Sequence, residues 1–150
     1  MNKQKALFCA GPFWHSQLKF SKMKGVIKTL AGYEGGNLPF PTYAEVSTGN
    51  TGHVEVVEIT YDADIISYVA LLEEFWKMHD PTSLVQYGVS GSQYKSTIFY
   101  YNDEQRQIAE KSKLEAQKRN DKEFITEIKK ATKFYLAEEN QQYYFLKQKK

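Results

Sequence analysis

Apolar residues along this chain fall into short runs and alternating stretches, and helical spacing is confined to a few segments. Lys5 to Cys9 is a short apolar run that ends at Gly11-Pro12, the pattern of a buried strand. A helix is expected from about Pro12 to Met23, then a second strand from Gly25 to Leu30. That strand leads into Gly32-Tyr33-Glu34-Gly35-Gly36, dense enough in glycine to predict a turn. After the proline-rich loop 37–41, Pro41-Thr42-Tyr43 opens a short helix. Val54 to Tyr61 alternates and is rich in Val and Ile, a strong strand signal. Asp64 is placed to cap the next helix, whose Ile65, Val69, Leu72 and Trp76 give one apolar face and which Pro81 stops. Gln86 to Gln93 reads as a loop, Ser96 to Tyr101 as a strand and Asp103 to Lys118 as a charged, solvated helix. Phe124 to Ile128 and the stretch from Ala137 predict a last strand and a final helix. Strands and helices alternate irregularly, without repeat or linker. The expected fold is α+β, one domain over residues 1–150, with a mixed β-sheet flanked by helices.

Composition narrows the function classes. A chain of 150 residues, 41% apolar and 25% charged, can bury a sizeable core. A net charge of +2 argues against nucleic acid as the main partner. No apolar run could span a membrane and no signal-peptide apolar region precedes the first strand, so a cytoplasmic protein is expected. The basic Lys147-Gln148-Lys149-Lys150 reads as a solvated tail. Eleven Tyr and nine Phe, several of them in loops, suggest a binding surface as well as a core. The single cysteine, Cys9, excludes an intrachain disulfide and a dithiol relay. There is no metal-ligand spacing, phosphate-binding glycine loop or Ser/His/Asp arrangement, and no cofactor is expected.

Two positions are informative chemically. The strand-to-helix turn of Ala6-Leu7-Phe8-Cys9-Ala10-Gly11-Pro12-Phe13-Trp14 is a place where a thiol would lose its proton readily, because helix N–H groups and the macrodipole favour an anion. Pro12 offers no nucleophile there, but suits a first helical turn, where its missing N–H costs nothing. On β parity, Glu55 shares a face with Val57, Ile59 and Tyr61. A carboxyl on that apolar face would be desolvated, its pKa raised, and able to donate to an oxygen; the alternative is a hydrated group near the strand end. Other candidates read as structural. Cys9 lies about 10 Å upstream of residue 12 along an extended strand and outside the helix terminus, an inert buried thiol. His15 would be surface polarity, and His79 beside Asp80 a charge-assisted helix C-cap.

The turn ending in Phe13-Trp14, the long stretch from Pro41-Thr42-Tyr43-Ala44-Glu45-Val46 to Gly52-His53-Val54-Glu55-Val56-Val57, the blocks Phe75-Trp76-Lys77-Met78-His79-Asp80-Pro81-Thr82 and Gln93-Tyr94-Lys95-Ser96, and Phe134 to Glu138 together resemble A-type peptide methionine sulfoxide reductases. The resemblance runs from about Ala6 to Tyr144. It implies that family's fold, with a ferredoxin-like core, and its reaction, the reduction of methionine-S-sulfoxide, free or in proteins, to methionine. In the family a thiolate attacks sulfur while a glutamic acid protonates the oxygen, and a second thiol, ultimately from thioredoxin, restores the nucleophile. By resemblance Phe13 and Trp14 form the apolar box around the methyl group, Tyr43 and Tyr94 point hydroxyls at the sulfoxide oxygen, and Glu55 is the acid. Pro12 occupies the nucleophile's position, and Ser47 stands where a cysteine is often found. The segment Gln86 to Ser92 is a residue shorter than usual and lacks the family's orienting aspartate, and Leu136 replaces a usual proline. The implied protein is a family member of little or no reductase activity that still binds methionine sulfoxide and offers thioredoxin no disulfide to reduce. The alternatives are a reductase working by an unusual route or with a replaced residue 12, and an interaction protein with a vestigial pocket.

Overall fold

The computed structural model describes residues 1–148. Six strands form one mixed sheet: β1 (Lys3–Cys9), β2 (Val26–Glu34), β3 (Val54–Asp62), β6 (Thr97–Tyr100), β7 (Glu127–Lys130) and β8 (Tyr135–Leu136). Their spatial order is β7-β6-β1-β3-β2-β8, parallel only between β6 and β7. A hairpin of β4 (Val85–Gln86) and β5 (Val89–Ser90) stands apart. The helices are α1 (Phe13–Ser21), α2 (Tyr43–Val46), α3 (Tyr68–Lys77), α4 (Asp103–Lys118) and α5 (Tyr144–Gln148).

Period-two alternation in the central strands builds two apolar layers. Ala6, Phe8 and Ala10 join Val57, Ile59 and Tyr61 in the larger core, which Phe20 of α1 and Leu71, Leu72 and Phe75 of α3 cover. Leu7, Cys9, Val54, Val56 and Phe99 form a smaller cluster on the opposite face. Burial on both faces explains why β1 reads as an unbroken apolar run.

Several elements depart from the sequence reading. Helix α3 is capped by Ser67, whose hydroxyl accepts from Ala70 N at 3.0 Å, while Asp64 sits in the preceding turn. The later start rotates the buried face to Tyr68, Leu71, Leu72 and Phe75, leaving Ile65 56% and Val69 47% exposed. Strand β2 continues through Gly32 instead of turning there. The Phe134 ring lies over that residue, and a Cβ would also approach the Tyr135 carbonyl to 2.6 Å. The strand expected from Phe124 begins at Glu127 as β7, and the C-terminal stretch makes β8 and a 3-10 turn over Glu139–Gln141 before α5. Helix α4 spans the expected residues. No helix among the described residues is long and apolar enough to cross a membrane. Lys147 donates to the Glu139 carbonyl at 2.7 Å, and Lys149 and Lys150 lie outside the described residues.

His79 caps the end of α3 as a neutral ring, not a charged one. Burial drives its pKa down to about 4. Nδ1 lies 2.6 Å from the Phe75 carbonyl and Nε2 lies 2.7 Å from Ser96 Oγ. A carbonyl can only accept, so the single ring proton belongs on Nδ1 and Nε2 takes the serine hydroxyl proton.

Candidate functional site

The site is built where β1 turns into α1. Gly11 makes the turn at φ 82°, in the left-handed region, and a side chain there would press on Gln86 at 3.0 Å. Pro12 is the N-cap, one residue outside the helix expected to start with it. Its φ of −56° and ψ of 129° aim its carbonyl into the first turn, where it accepts from His15 N at 3.1 Å and Ser16 N at 3.4 Å. The helix therefore begins with a ring that carries neither a donor nor a nucleophile.

The first free helix donor has a dedicated acceptor. Phe13 N donates to Glu55 Oε1 at 3.1 Å. Glu55 lies on the larger-core face of β3, as parity predicts, and is 2% exposed. Its other oxygen, Oε2, has no hydrogen-bond partner. Burial raises the carboxyl pKa to about 8, against the lowering effect of the Phe13 N–H. The group is thus mainly neutral at pH 7. Oε1 accepts an N–H, so the acid proton sits on Oε2, the oxygen free to donate.

Aromatic rings surround this acid. The buried Phe13 ring packs 5.7 Å from Tyr33 and 6.1 Å from Tyr43. Trp14 stacks on Tyr43 at 5.8 Å with 10° between the planes. Burial first, and the Glu55 charge second, push the Tyr43 phenol up to about 12; the same two causes raise the buried Tyr94 on the 3-10 turn Ser92–Tyr94. Phe13, Tyr43 and Glu55 therefore gather at the head of α1, Trp14 joins them through Tyr43, and Tyr94 lies near enough to Glu55 to feel its charge.

The residues that support these rings were not singled out by the sequence reading. Glu138 holds two walls at once, accepting from Tyr33 OH at 2.8 Å and from Tyr43 N at 2.9 Å. Gln141 Oε1 accepts from Trp14 Nε1 at 2.8 Å and fixes the indole. That indole has a closer stacking partner as well: Tyr144 lies on it at 3.8 Å and 9°. Parity along β2 could have found Tyr33, and Glu138 ends one of the blocks that carry the resemblance, but nothing local marks the contacts that Glu138 and Gln141 make.

His15 is not surface polarity. It is partly buried, stacked 3.7 Å from Tyr87 of the β4–β5 hairpin, with Nδ1 unpartnered, and burial ahead of the Lys19 charge lowers its pKa. Gln86 shapes the same loop: Nε2 donates to Asp80 O at 2.6 Å and Ser83 O at 2.8 Å, while Oε1 accepts from Asp80 N at 2.8 Å. Cys9 is fully buried, its sulfur 3.8 Å from the Gln93 carbonyl and 4.0 Å from that of Gly11, and burial pushes its thiol far up. No group of three His, Cys, Asp or Glu among the described residues could hold a metal ion.

A family model described as peptide methionine sulfoxide reductase matches residues 4–150. Peptide methionine sulfoxide reductase MsrA of Methanococcus maripaludis strain C7 is 49% identical over 97% of this chain and 94% of its own length. Mxr1 from Saccharomyces cerevisiae in its reduced form superimposes with a TM-score of 0.91 at 28% identity, over 97% of this chain and 86% of that one. The same yeast protein in complex with Trx2 gives a TM-score of 0.69 at 21% identity, over 95% and 85% of the two chains.

Proposed function

Because the chain belongs to the peptide methionine sulfoxide reductase family, we propose that residues 1–150 form one domain that binds the sulfoxide of oxidised methionine and performs the family reaction at a negligible rate. The observation that carries this reading is the free Oε2 of Glu55, protonated at neutral pH in a dry site beside Phe13. A sulfoxide oxygen accepts hydrogen bonds strongly, and a neutral acid donates to it without bringing in a charge. The phenols of Tyr43 and Tyr94 remain protonated across the physiological range and supply further donors. The rings of Phe13 and Trp14 offer the S-methyl group an apolar seat.

Pro12 stands where the family's nucleophilic cysteine resides. Reduction needs an atom that attacks sulfur and carries the oxidation away as a sulfenic acid, and a proline ring has no such lone pair. Removing the nucleophile from a well-built site costs about a millionfold in turnover in a protease of similar logic. Cys9 does not replace it, being fully buried with its proton held. Without a sulfenic acid or a second thiol, thioredoxin, which the yeast relative binds as Trx2, has nothing to reduce here. The occupied face of Trp14 favours a second reading, an interaction protein whose pocket is vestigial.

Two measurements test this. Turnover of methionine-S-sulfoxide with dithiothreitol or thioredoxin should not exceed a control without protein, and a clear steady-state rate overturns the inactive reading. Titration with N-acetyl-methionine sulfoxide amide should shift the indole NMR signal of Trp14. An unmoved signal at millimolar ligand overturns the binding reading and leaves the vestigial one.

A further inference from the structure

We propose that residues 144–148 are an intrachain cover on the sulfoxide site, hinged at Tyr143, which a ligand must displace from Trp14. This rests on the sulfoxide-binding reading above and concerns how that site is regulated. The argument starts with a contrast in anchorage. The residues just before the hinge are fastened to the sheet. Gln142 Nε2 donates to Ala31 O at 2.8 Å and Ala137 O at 3.0 Å, and its Oε1 accepts from Ala31 N at 2.9 Å and Gln17 Nε2 at 3.2 Å. Tyr143 N donates to Gln17 Oε1 at 2.8 Å, and its hydroxyl lies 3.0 Å from Thr29 Oγ1 and 2.9 Å from Thr29 O.

At Tyr143 the backbone enters the left-handed region, φ 50°, where a side chain bearing Cβ is strained. Beyond it the chain is only lightly held. Helix α5 has five residues and buries none of them, and it is too short to be stable on its own. Its hold on the body is aromatic. Tyr144 lies flat on Trp14 at 3.8 Å, and Phe145 sets an edge against Trp14 at 5.9 Å and His15 at 4.8 Å. The Lys147 ammonium adds exposed contacts to Glu139. A firm anchor, a strained hinge and a lightly attached aromatic end make two discrete positions available to the segment. The face it covers in this structure belongs to the indole that would seat a methyl group.

The cover takes a share of the population that ligand binding must recover, so apparent affinity falls in proportion to the open fraction. A stacked aromatic pair is worth enough to hold the open fraction down roughly three- to tenfold. The experiment compares the wild type, Tyr144→Ala and Tyr144→Phe by NMR titration with N-acetyl-methionine sulfoxide amide, with hydrogen exchange of residues 144–148 followed in the same samples. A thermal melt first checks that each variant folds. Tyr144→Ala should bind roughly three- to tenfold more tightly, Tyr144→Phe should match the wild type because it keeps the stack, and ligand should speed exchange at 144–148 in the wild type. Equal affinity in all three proteins overturns the cover while leaving sulfoxide binding intact. Weaker binding by Tyr144→Ala also overturns it, showing that Tyr144 is a wall of the pocket. Binding by none of the three, when the ligand-free Tyr144→Ala protein already differs from the wild type in its Trp14 indole signal, overturns the sulfoxide reading itself and, with it, the proposal that this cover gates such a ligand.

Discussion

Replacing Glu55 with Gln should make the protein more resistant to alkaline conditions, by an amount set by burial. In the folded chain the Glu55 carboxyl has a pKa of about 8, raised from 4.5 chiefly by desolvation. The unfolded chain exposes the group to water and returns it to the ordinary value. Between those two values the native state holds a proton that the unfolded state does not, so unfolding releases it and becomes easier as pH rises. The stability linked to this group is fully present below pH 4.5 and is lost as pH climbs through 8. A gap of about 3.5 pH units at ~1.4 kcal/mol each amounts to ~5 kcal/mol, a large part of a typical domain's total. The Glu55→Gln change is nearly isosteric, and its amide oxygen can still accept from Phe13 N, the bond that Glu55 Oε1 makes at 3.1 Å. Urea unfolding from pH 5 to pH 9 reads the difference through the midpoint, with the slope held common. Near pH 5 the two proteins should unfold within about 1 kcal/mol of each other, since both carry a neutral side chain, and at pH 9 the variant should be the more stable by several kcal/mol. Parallel pH profiles would refute the reasoning and place an ionised or hydrated Glu55 in the native state.

The chain should also respond as follows at other positions. Cys9, fully buried with its thiol pKa raised, should react with a thiol reagent at the rate of unfolding in native buffer and at once in denaturant; rapid native labelling would contradict its burial. Gln142→Ala should cost about 2–4 kcal/mol by urea midpoint, because it removes the amide partners, now within 3.0 Å, of the Ala31 N–H and the Ala137 carbonyl, and leaves the Ala31 carbonyl with the Ala137 N–H alone; a loss under 1 kcal/mol would mean that water replaces the amide. Gly32→Ala should destabilise by more than about 2 kcal/mol, since the new methyl meets the Phe134 ring and the Tyr135 carbonyl; an unchanged melting temperature would show that β8 gives way freely. Pro12→Cys should gain measurable reductase activity in single turnover, because the thiol would lie at the α1 N-terminus beside Phe13 and Trp14; a folded but wholly inactive variant would show that the pocket has diverged elsewhere.

Local pattern carried the parts of the fold that repeat along one element. Period-two alternation placed β3 to within one residue and put Glu55 on the apolar face, because each strand residue faces one side of the sheet whatever its partners are, while the choice between a buried and a hydrated carboxyl there fell to the packing. Helix α4 was legible for a similar reason: its charged surface is a local property, and the structure adds a cap at Asn102 and acidic residues in the first turn. The buried face of α3 was misplaced because a helix face depends on where the helix starts. Asp64 and Ser67 are both good caps, and only the packing of Tyr68 and Phe75 chooses between them. Gly32 read as a turn because glycine is permissive, whereas the strand uses it to admit the Phe134 ring.

The functional site divides along the same line. Glu55 and the aromatics Phe13 and Trp14 stand in segments with their own pattern, and the family resemblance points to them directly. Their support does not. Glu138 reaches Tyr33 across 105 positions of sequence, and Gln141 reaches Trp14 across 127. Both sit in a polar stretch whose periodicity predicts neither contact, since a single side chain reaching a single group leaves no repeat to detect. That asymmetry bears on how residue 12 should be interpreted. That Pro12 carries no nucleophile is a statement about one side chain, and it is legible from the sequence as soon as the turn is recognised. Whether a sulfoxide still has somewhere to bind depends on the long-range contacts that orient Tyr43 and Trp14 and that lay Tyr144 over the indole. Chemistry and binding are therefore separable in the proposed reading: the ring of Pro12 supplies no attacking atom, whereas the protonated, unpartnered oxygen of Glu55 depends on burial by residues of other elements.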